Sequence, residues 1–578
     1  MKFEVKDRDF ILDGNPIKII SASVHYFRNL PDTWDDIFSK LVALGCNCVE
    51  TYCAWNMHEK VKGEFDFSGG LNVAEFLRKA HSYGLMAIVR PGPYICAEWE
   101  FGGLPWWIQA EEVNLRCMDE KYIEYFDRYL DKMFDEIRPL LCTNGGPVIM
   151  VACENEYGYY GDDVAYRNYL RDGYIKRGID VPLFTADGSE KKLLLDGAIE
   201  GCIPTLNFGS RAKEHYDNLE EVFPGSPRMV MEMWNGWFDE WGDSFHHTTS
   251  VEDYVKSVDE ALSMGSMNMY MFIGGTNFGF MNGANHGDSY CPHVTSYDYD
   301  SLLTESGDVT EKYMAIREVI KKYTGKEPLP VPPNRPKKAY GRVDFTDTAS
   351  LFDNMDVLSK PIQSKVPENM EKYAVGYGYI AYTTVLNRDY EDAILSFDGI
   401  GDRAQVYIGR DLKGCVYVND EKYEVTFSAK KGDVLTILCE NMGRCNFGTK
   451  MMRKKGIDGR CMIDNKIHFD WTVYPLGMDN LEKLVYGDKA EQKACFLKAE
   501  FTIDEPCDTF LKLEGFTKGF AVINGFNLGR HWCVGPQRTL FVPKSVLREG
   551  KNELVVFDSD GVDEGAYALF ADVPDIGK

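Results

Sequence analysis

Two glutamates follow apolar, β-rich runs in positions from which both could act on one bond. Glu154-Asn155-Glu156 comes after Val148-Ile-Met-Val-Ala-Cys153, and Glu232 comes after Met229-Val-Met231. Hydrolysis of a glycosidic bond needs such a pair. One carboxyl donates a proton to the leaving oxygen, and the other stabilises or attacks the anomeric carbon. Enzymes that retain the anomeric configuration hold the two carboxyls about 5–5.5 Å apart. Other strand-like runs end on side chains that suit a sugar. Tyr52 follows Cys48-Val-Glu-Thr51, Leu85–Arg90 leads into Pro91-Gly-Pro-Tyr-Ile-Cys-Ala97-Glu98-Trp99, and Trp234 and Trp237 trail Glu232. Aromatic planes pack on the C–H face of a pyranose, and the aromatic content of 13% is enough for such a cleft as well as for an aromatic core.

Rival chemistries fit less well. His286, Cys291 and His293, and the pair His246-His247, do not have the spacing of a closed zinc site and are read as parts of a rim loop. Gly102-Gly103 and Gly274-Gly275 lack the Lys-Ser/Thr partner of a phosphate loop. No metal and no organic cofactor is expected.

A fold must bring together glutamates that lie 76 residues apart (232 − 156). Eight candidate strands, Ile17–Val24, Asn47–Tyr52, Leu85–Arg90, Val148–Cys153, Leu183–Ala186, Ile203–Asn207, Met229–Met233 and Met269–Ile273, occupy residues 1–325. Helical patterns lie between them at Asp32–Leu44, Asn72–Ser82, Tyr122–Leu141, Asp163–Arg177 and Val251–Ser263. This alternation fits a (β/α)8 barrel, in which functional residues gather at the C-terminal ends of the strands; a doubly wound sheet has the same alternation. Lys326–Pro336 carries five prolines among eleven residues and must run extended, so 326–337 reads as a linker. Beyond it, short strands and Gly/Asn/Asp turns predict two all-β, jelly-roll-like sandwich domains, at 338–485 and 486–578. Ala404–Gly414 and Phe520–Gly529 resemble one another, each a strand, a glycine turn and a return strand.

The formal charge of −26 would repel nucleic acid over most of the surface. The N-terminus has no apolar signal core, and no stretch approaches a membrane span. The 16 cysteines are scattered through strand-like runs and read as reduced, small core residues of a cytoplasmic protein.

Longer motifs now carry a resemblance. Ser21-Ala-Ser-Val-His-Tyr-Phe-Arg28, Trp55-Asn-Met-His-Glu59, Arg90–Pro105, Glu154-Asn-Glu-Tyr-Gly158, Gly274-Gly-Thr-Asn-Phe-Gly279 and Thr295-Ser-Tyr-Asp-Tyr-Asp300 occur in order, followed by Asn527-Leu-Gly-Arg530 and Gly535-Pro-Gln537. With these motifs the chain resembles glycoside hydrolase family 35, the β-galactosidases of clan A, over nearly its whole length. The resemblance implies Glu156 as general acid/base and Glu232 as nucleophile of a retaining exo-β-galactosidase. It implies that Asn155 bonds the 2-hydroxyl, and that Glu98 with the backbone at Ala97 holds the 3- and 4-hydroxyls. Tyr52 and Tyr299 would line the galactose site. Trp234 and Trp237 look like the pair that shapes the acceptor side in small bacterial members, which suggests a preference for β-1,3 linkages. Ala152-Cys153, Cys53-Ala54, Ser301-Leu-Leu303 and Phe447 depart from the family's usual residues and bear on the outer wall of the site. A β-galactoside is the expected partner, and the terminal β-domains are candidates for a homodimer interface. Two alternatives stay open: another β-glycoside such as a glucosaminide, and a sugar-binding protein without catalysis.

Overall fold

The computed structural model describes residues 1–487 and 493–577. Eight parallel strands, β1 (Ile20–Val24), β2 (Cys48–Tyr52), β3 (Met86–Arg90), β4 (Val148–Ala152), β5 (Leu183–Gly188), β6 (Ile203–Phe208), β7 (Met229–Trp234) and β8 (Ser266–Ile273), pair in chain order. β8 closes on β1, so the sheet is a barrel rather than an open doubly wound sheet. Most of these strands are buried at every position, because helices cover the outside and side chains fill the inside. That is why they read as continuous apolar runs in the sequence.

Five of the helices were legible to within a few residues: Trp34–Leu44, Val73–Ser82, Glu120–Ile137, Val164–Lys176 and Val251–Met264. Ala212–Val222 was not, since it buries only Ala212, Tyr216 and Leu219 and so lacks a broad apolar stripe. Lys191–Gly197 and Glu311–Thr324 also emerge only in the structure. The first barrel strand begins at Ile20, not Ile17. Asn15–Ile17 is instead the third strand of a small antiparallel sheet with Phe3–Lys6 and Asp9–Leu12. At the other end, β8 starts three residues before the expected Met269.

Residues 325–336 hold no helix or strand. This strap is pinned at its end: Arg335 bridges Asp32 of the barrel at 3.2 Å and Asp508 of the last segment at 3.0 Å. Two sandwiches follow. A six-stranded and a four-stranded sheet built from residues 362–476 enclose one apolar core. A five-stranded and a four-stranded sheet enclose another. The latter pair takes Gly341–Asp344 and Asp347–Ser350 as strands against Val562–Ala571 and Cys495–Ile503. The expected boundary at 338 therefore does not coincide with where the sheets divide: the chain enters the C-terminal sandwich first and then leaves it for the middle one. The expected division at 485/486 falls between Trp471–Leu476 and Cys495–Ile503, a stretch in which residues 488–492 lie outside the described ones.

The two similar segments are both hairpins at a sheet edge. Arg403–Ile408 pairs with Asp411–Tyr417, and Lys518–Ile523 pairs with Phe526–Trp532. Tyr407 and Phe520 from these hairpins meet in a third apolar cluster that joins the sandwiches. All sixteen cysteines are free, eleven of them buried. No helix of the described residues is long and apolar enough to cross a membrane.

Candidate active site

All nine residues singled out from the sequence line one cavity of about 320 Å³ at the C-terminal ends of the barrel strands. β4 and β7 stand three strands apart in the eight-stranded ring, so Glu156 and Glu232 come from different walls of its mouth. Strand register brings a further partner between them. Glu232 lies opposite Asn207 on β6, and the Asn207 amide donates to Glu156 Oε1 at 3.0 Å.

The two glutamates sit in contrasting surroundings. Glu232 is buried and accepts three hydrogen bonds: from the Tyr52 hydroxyl at 2.6 Å and Arg90 Nη1 at 3.0 Å, both on Oε1, and from the Trp234 indole N–H at 3.2 Å on Oε2. All three partners are donors, the set that an anionic carboxylate accepts from. Glu156 has one amide donor. Burial raises its pKa to about 8, and the nearby Glu232 charge adds to the rise, while Asn207 and Arg90 offset part of it. One carboxyl is thus built to hold a proton near neutral pH and the other to accept from fixed donors, the division of labour a proton donor and a nucleophile require.

Backbone strain concentrates at this rim. Cys96, Ala97 and Glu98 are consecutive residues in the left-handed region, at φ of 55°, 58° and 48°. Glu154, Glu156, Tyr299 and Asp300 share that conformation at the ends of other strands. Each such non-glycine residue costs on the order of 1 kcal/mol, and a run of three persists only where its surroundings enforce it. Here Arg28 does so. Its guanidinium donates to the Ala97 carbonyl at 2.5 Å and to Asn277 at 2.9 Å, and lies 3.7 Å from the centre of the Tyr297 ring. The Tyr297 hydroxyl in turn donates to Glu98 Oε2. Burial pushes the Glu98 carboxyl up to about 7, with Tyr297 and Arg28 pulling against it. Ala97 therefore spends its carbonyl on Arg28, inside the protein.

Aromatic rings form the rest of the wall. Trp234 and Trp237 meet edge to face at 5.7 Å, and Trp237, 43% exposed, approaches Tyr299 at 6.4 Å. Opposite them Tyr159 packs on Phe447 at 5.8 Å, so the middle sandwich contributes a ring to the barrel's cavity. Phe447 was read as a departure on the outer wall, and it stands there.

The structure adds residues that sequence reasoning passed over. Arg90 bonds Glu232 and also donates to the Asn155 side-chain oxygen Oδ1. It ends its strand, as the chosen residues do, but a lone arginine in an apolar run reads as a solvated edge. Asn207 is the last residue but one of β6. Tyr270 lies within an apolar strand, and Asn285 belongs to a short hairpin far from the motifs of β2 to β7. The histidines do not converge on one site. His293 bonds Asn446, whereas His246 bonds Asp239 at 2.6 Å and makes an ion-pair contact with Asp298 at 3.2 Å. Burial disfavours the charged His246, but these carboxylates outweigh it and raise its pKa to about 9. Asp239, Asp243 and His247 bring ligand-type atoms within 4.8 Å of one another. Both Asp239 oxygens already accept from His246 and His247, which accounts for that cluster as an ion-pair network.

Comparison with known proteins agrees with the fold of a barrel followed by all-β domains. The model of the glycosyl hydrolases family 35 matches residues 9–323. Models described as a β-galactosidase first all-beta domain and a β-galactosidase galactose-binding domain match 367–477 and 494–552. A β-galactosidase of Bos taurus is 38% identical, covering 98% of this chain and 92% of its own. One from Xanthomonas manihotis is 38% identical over 94% of this chain and 92% of its own. A human β-galactosidase-1-like protein 2 is also 38% identical, over 100% of this chain and 92% of its own.

Proposed function

The chain belongs to family 35 of the glycosyl hydrolases, and from that premise we propose that it is a retaining, exo-acting β-galactosidase working by double displacement. One observation carries the proposal: two glutamates facing one cavity, of which Glu156 is buried towards the protonated form while Glu232 is held by three donors.

The Glu156 carboxyl gives its proton to the glycosidic oxygen as the bond from the anomeric carbon to the aglycone breaks. Glu232 attacks the same carbon and forms a galactosyl ester. Its Oε1 is held by two donors and its Oε2 by one, which makes Oε2 the attacking oxygen. Loss of the first proton leaves Glu156 anionic. It then takes a proton from water, whose oxygen displaces Glu232 and releases galactose in the β configuration. Asn155 uses its side-chain oxygen on Arg90, so its amide N–H2 is left to donate to the 2-hydroxyl. Glu98, on its strained loop, would take the 3- and 4-hydroxyls. Trp234 and Trp237 border the acceptor side, and on them rests the further proposal of β-1,3 preference.

A panel of nitrophenyl β-glycosides tests the sugar: hydrolysis of the galactoside well ahead of the glucoside and glucosaminide is expected. Proton NMR of the first product tests the stereochemistry, and initial release of α-galactose would overturn the retaining mechanism. Galactosyl disaccharides test the linkage, and faster cleavage of β-1,4 than β-1,3 would remove the proposed preference.

A further inference from the structure

Behind the nucleophile lies a second carboxylate that the mechanism above does not use. Glu50 sits on β2 two residues before Tyr52, so both side chains point into the barrel and Glu50 lies one layer deeper. It is fully buried, and neither of its oxygens has a hydrogen-bond partner among the described residues. A buried carboxylate without donors is costly and calls for an explanation. Its nearest cation is Arg90, whose Nη1 stands 3.6 Å from Glu50 Oε1 and 3.0 Å from Glu232 Oε1. The same guanidinium nitrogen therefore serves two carboxylates, one in the cavity and one beneath it.

We propose that Glu50 is a positioning residue that acts through Arg90, sharing the guanidinium with Glu232 and so setting how much of its charge the nucleophile feels. This rests on Glu232 being the nucleophile. An anionic Glu50 draws Arg90 inward and leaves Glu232 electron-rich. A neutral Glu50 yields the whole guanidinium to Glu232, which damps its attack on the anomeric carbon. The groups that face Glu50 are Arg90 from β3, Glu232 from β7, Ser23 from β1, Cys48 and Tyr52 on its own strand, and Cys53 just beyond it. Burial raises its carboxyl to about 7 and Arg90 holds it from rising further, so near neutral pH both of its forms are populated.

The test is Glu50→Gln, which keeps the shape and removes the charge. With a nitrophenyl β-galactoside, kcat should fall on the order of 10-fold, a barrier increase of about 1.4 kcal/mol, with KM nearly unchanged. The alkaline limb of the kcat/KM profile should move to lower pH, because losing a buried negative charge weakens proton binding at Glu156. A folded variant that galactose inhibits normally and that keeps the wild-type kcat and alkaline limb would overturn the proposal. If Glu50→Gln does not fold, Glu50→Asp carries the test: withdrawing the charge from Arg90 should shift the alkaline limb the same way, and an unshifted limb overturns it. If the wild type leaves the galactoside untouched, the sugar assignment fails instead. The Glu50 test is then made with whichever nitrophenyl glycoside the wild type cleaves.

Discussion

The cavity at the mouth of the barrel and the seam between barrel and middle sandwich are made of the same materials, buried arginines and carboxylates, in different ratios. At the seam Arg444 is fully buried and donates to Glu100 at 2.9 Å, Glu371 at 2.8 Å and Gln109 at 2.7 Å. Nearby Lys455 sits on Asp402 at 2.6 Å, and between the two sandwiches Lys518 sits on Glu440 at 2.5 Å. Burial pushes Glu440 up, yet Lys518, Arg403 and Arg530 outweigh it, and the carboxyl ends below its ordinary value. In and just beneath the cavity, Glu50, Glu98, Glu156 and Glu232 share only Arg28 and Arg90 among the described residues, and Glu50, Glu98 and Glu156 all rise. Burial is common to both regions: it still raises Glu100 beside its one arginine, whereas Glu440, facing three cations, ends low, so the number of cations around a carboxylate decides the outcome. Glu154 and Glu156 repeat the contrast within one tripeptide. Glu154 is gripped at both oxygens by Arg116, at 3.1 and 2.7 Å, and by the Tyr166 hydroxyl, while Glu156 has an amide and a neighbouring anion. The cations around a buried carboxylate, and not burial alone, thus set its state.

The largest effect should come from the cavity. Glu232→Gln should lower kcat/KM for a nitrophenyl galactoside by about 10^4-fold or more while the protein stays folded, as steady-state kinetics and melting curves would show. Glu156→Gln should cost about 10²–10⁴-fold on a galactosyl disaccharide and less on the nitrophenyl compound, whose leaving group scarcely needs a proton; the alkaline limb of its pH profile should vanish. The seam should respond in the opposite way. Arg444→Met leaves Glu100 and Glu371 buried without their cation, and should destabilise by about 3–5 kcal/mol in denaturant titrations while KM stays close to wild type. An Arg444→Met protein that melts normally but loses turnover would erase the distinction between the regions.

The smallest effect is a pH slope in stability. Glu156 binds its proton more tightly folded, at about 8, than unfolded, near 4.5. The folded state then holds more protons between those values, so this group's contribution to stability falls as pH rises from about 4.5 to about 8. Glu156→Gln should consequently gain Tm relative to wild type at pH 8 and match it near pH 4.5. His246 works from its own side: its contribution is full below 6.5 and lost as pH rises through about 9. An Asp239→Asn variant should therefore lose more Tm at pH 6 than at pH 10.

Most of the barrel could be read directly because its strands are buried on both faces, so the apolar runs that mark them are uninterrupted. The proposed catalytic pair stands out in the sequence because Glu232 follows such a run directly and Glu156 lies three residues past another, where barrel geometry places functional groups. What stayed hidden depended on partners far away in sequence. Nothing near Gly341–Asp344 shows that it pairs with Val562–Ala571, since strand pairing is a contact between distant segments. Phe447 reaches the cavity only because the middle sandwich docks on the barrel. Glu50 looks like any residue of an apolar strand until Arg90 is seen between it and the nucleophile. Residue type and strand-end position, which are local, pointed to the glutamates proposed for the chemistry. Their protonation, their donors and the third carboxylate beneath them were decided by tertiary structure, because electrostatic shifts depend on distances in space and on how much water the fold excludes.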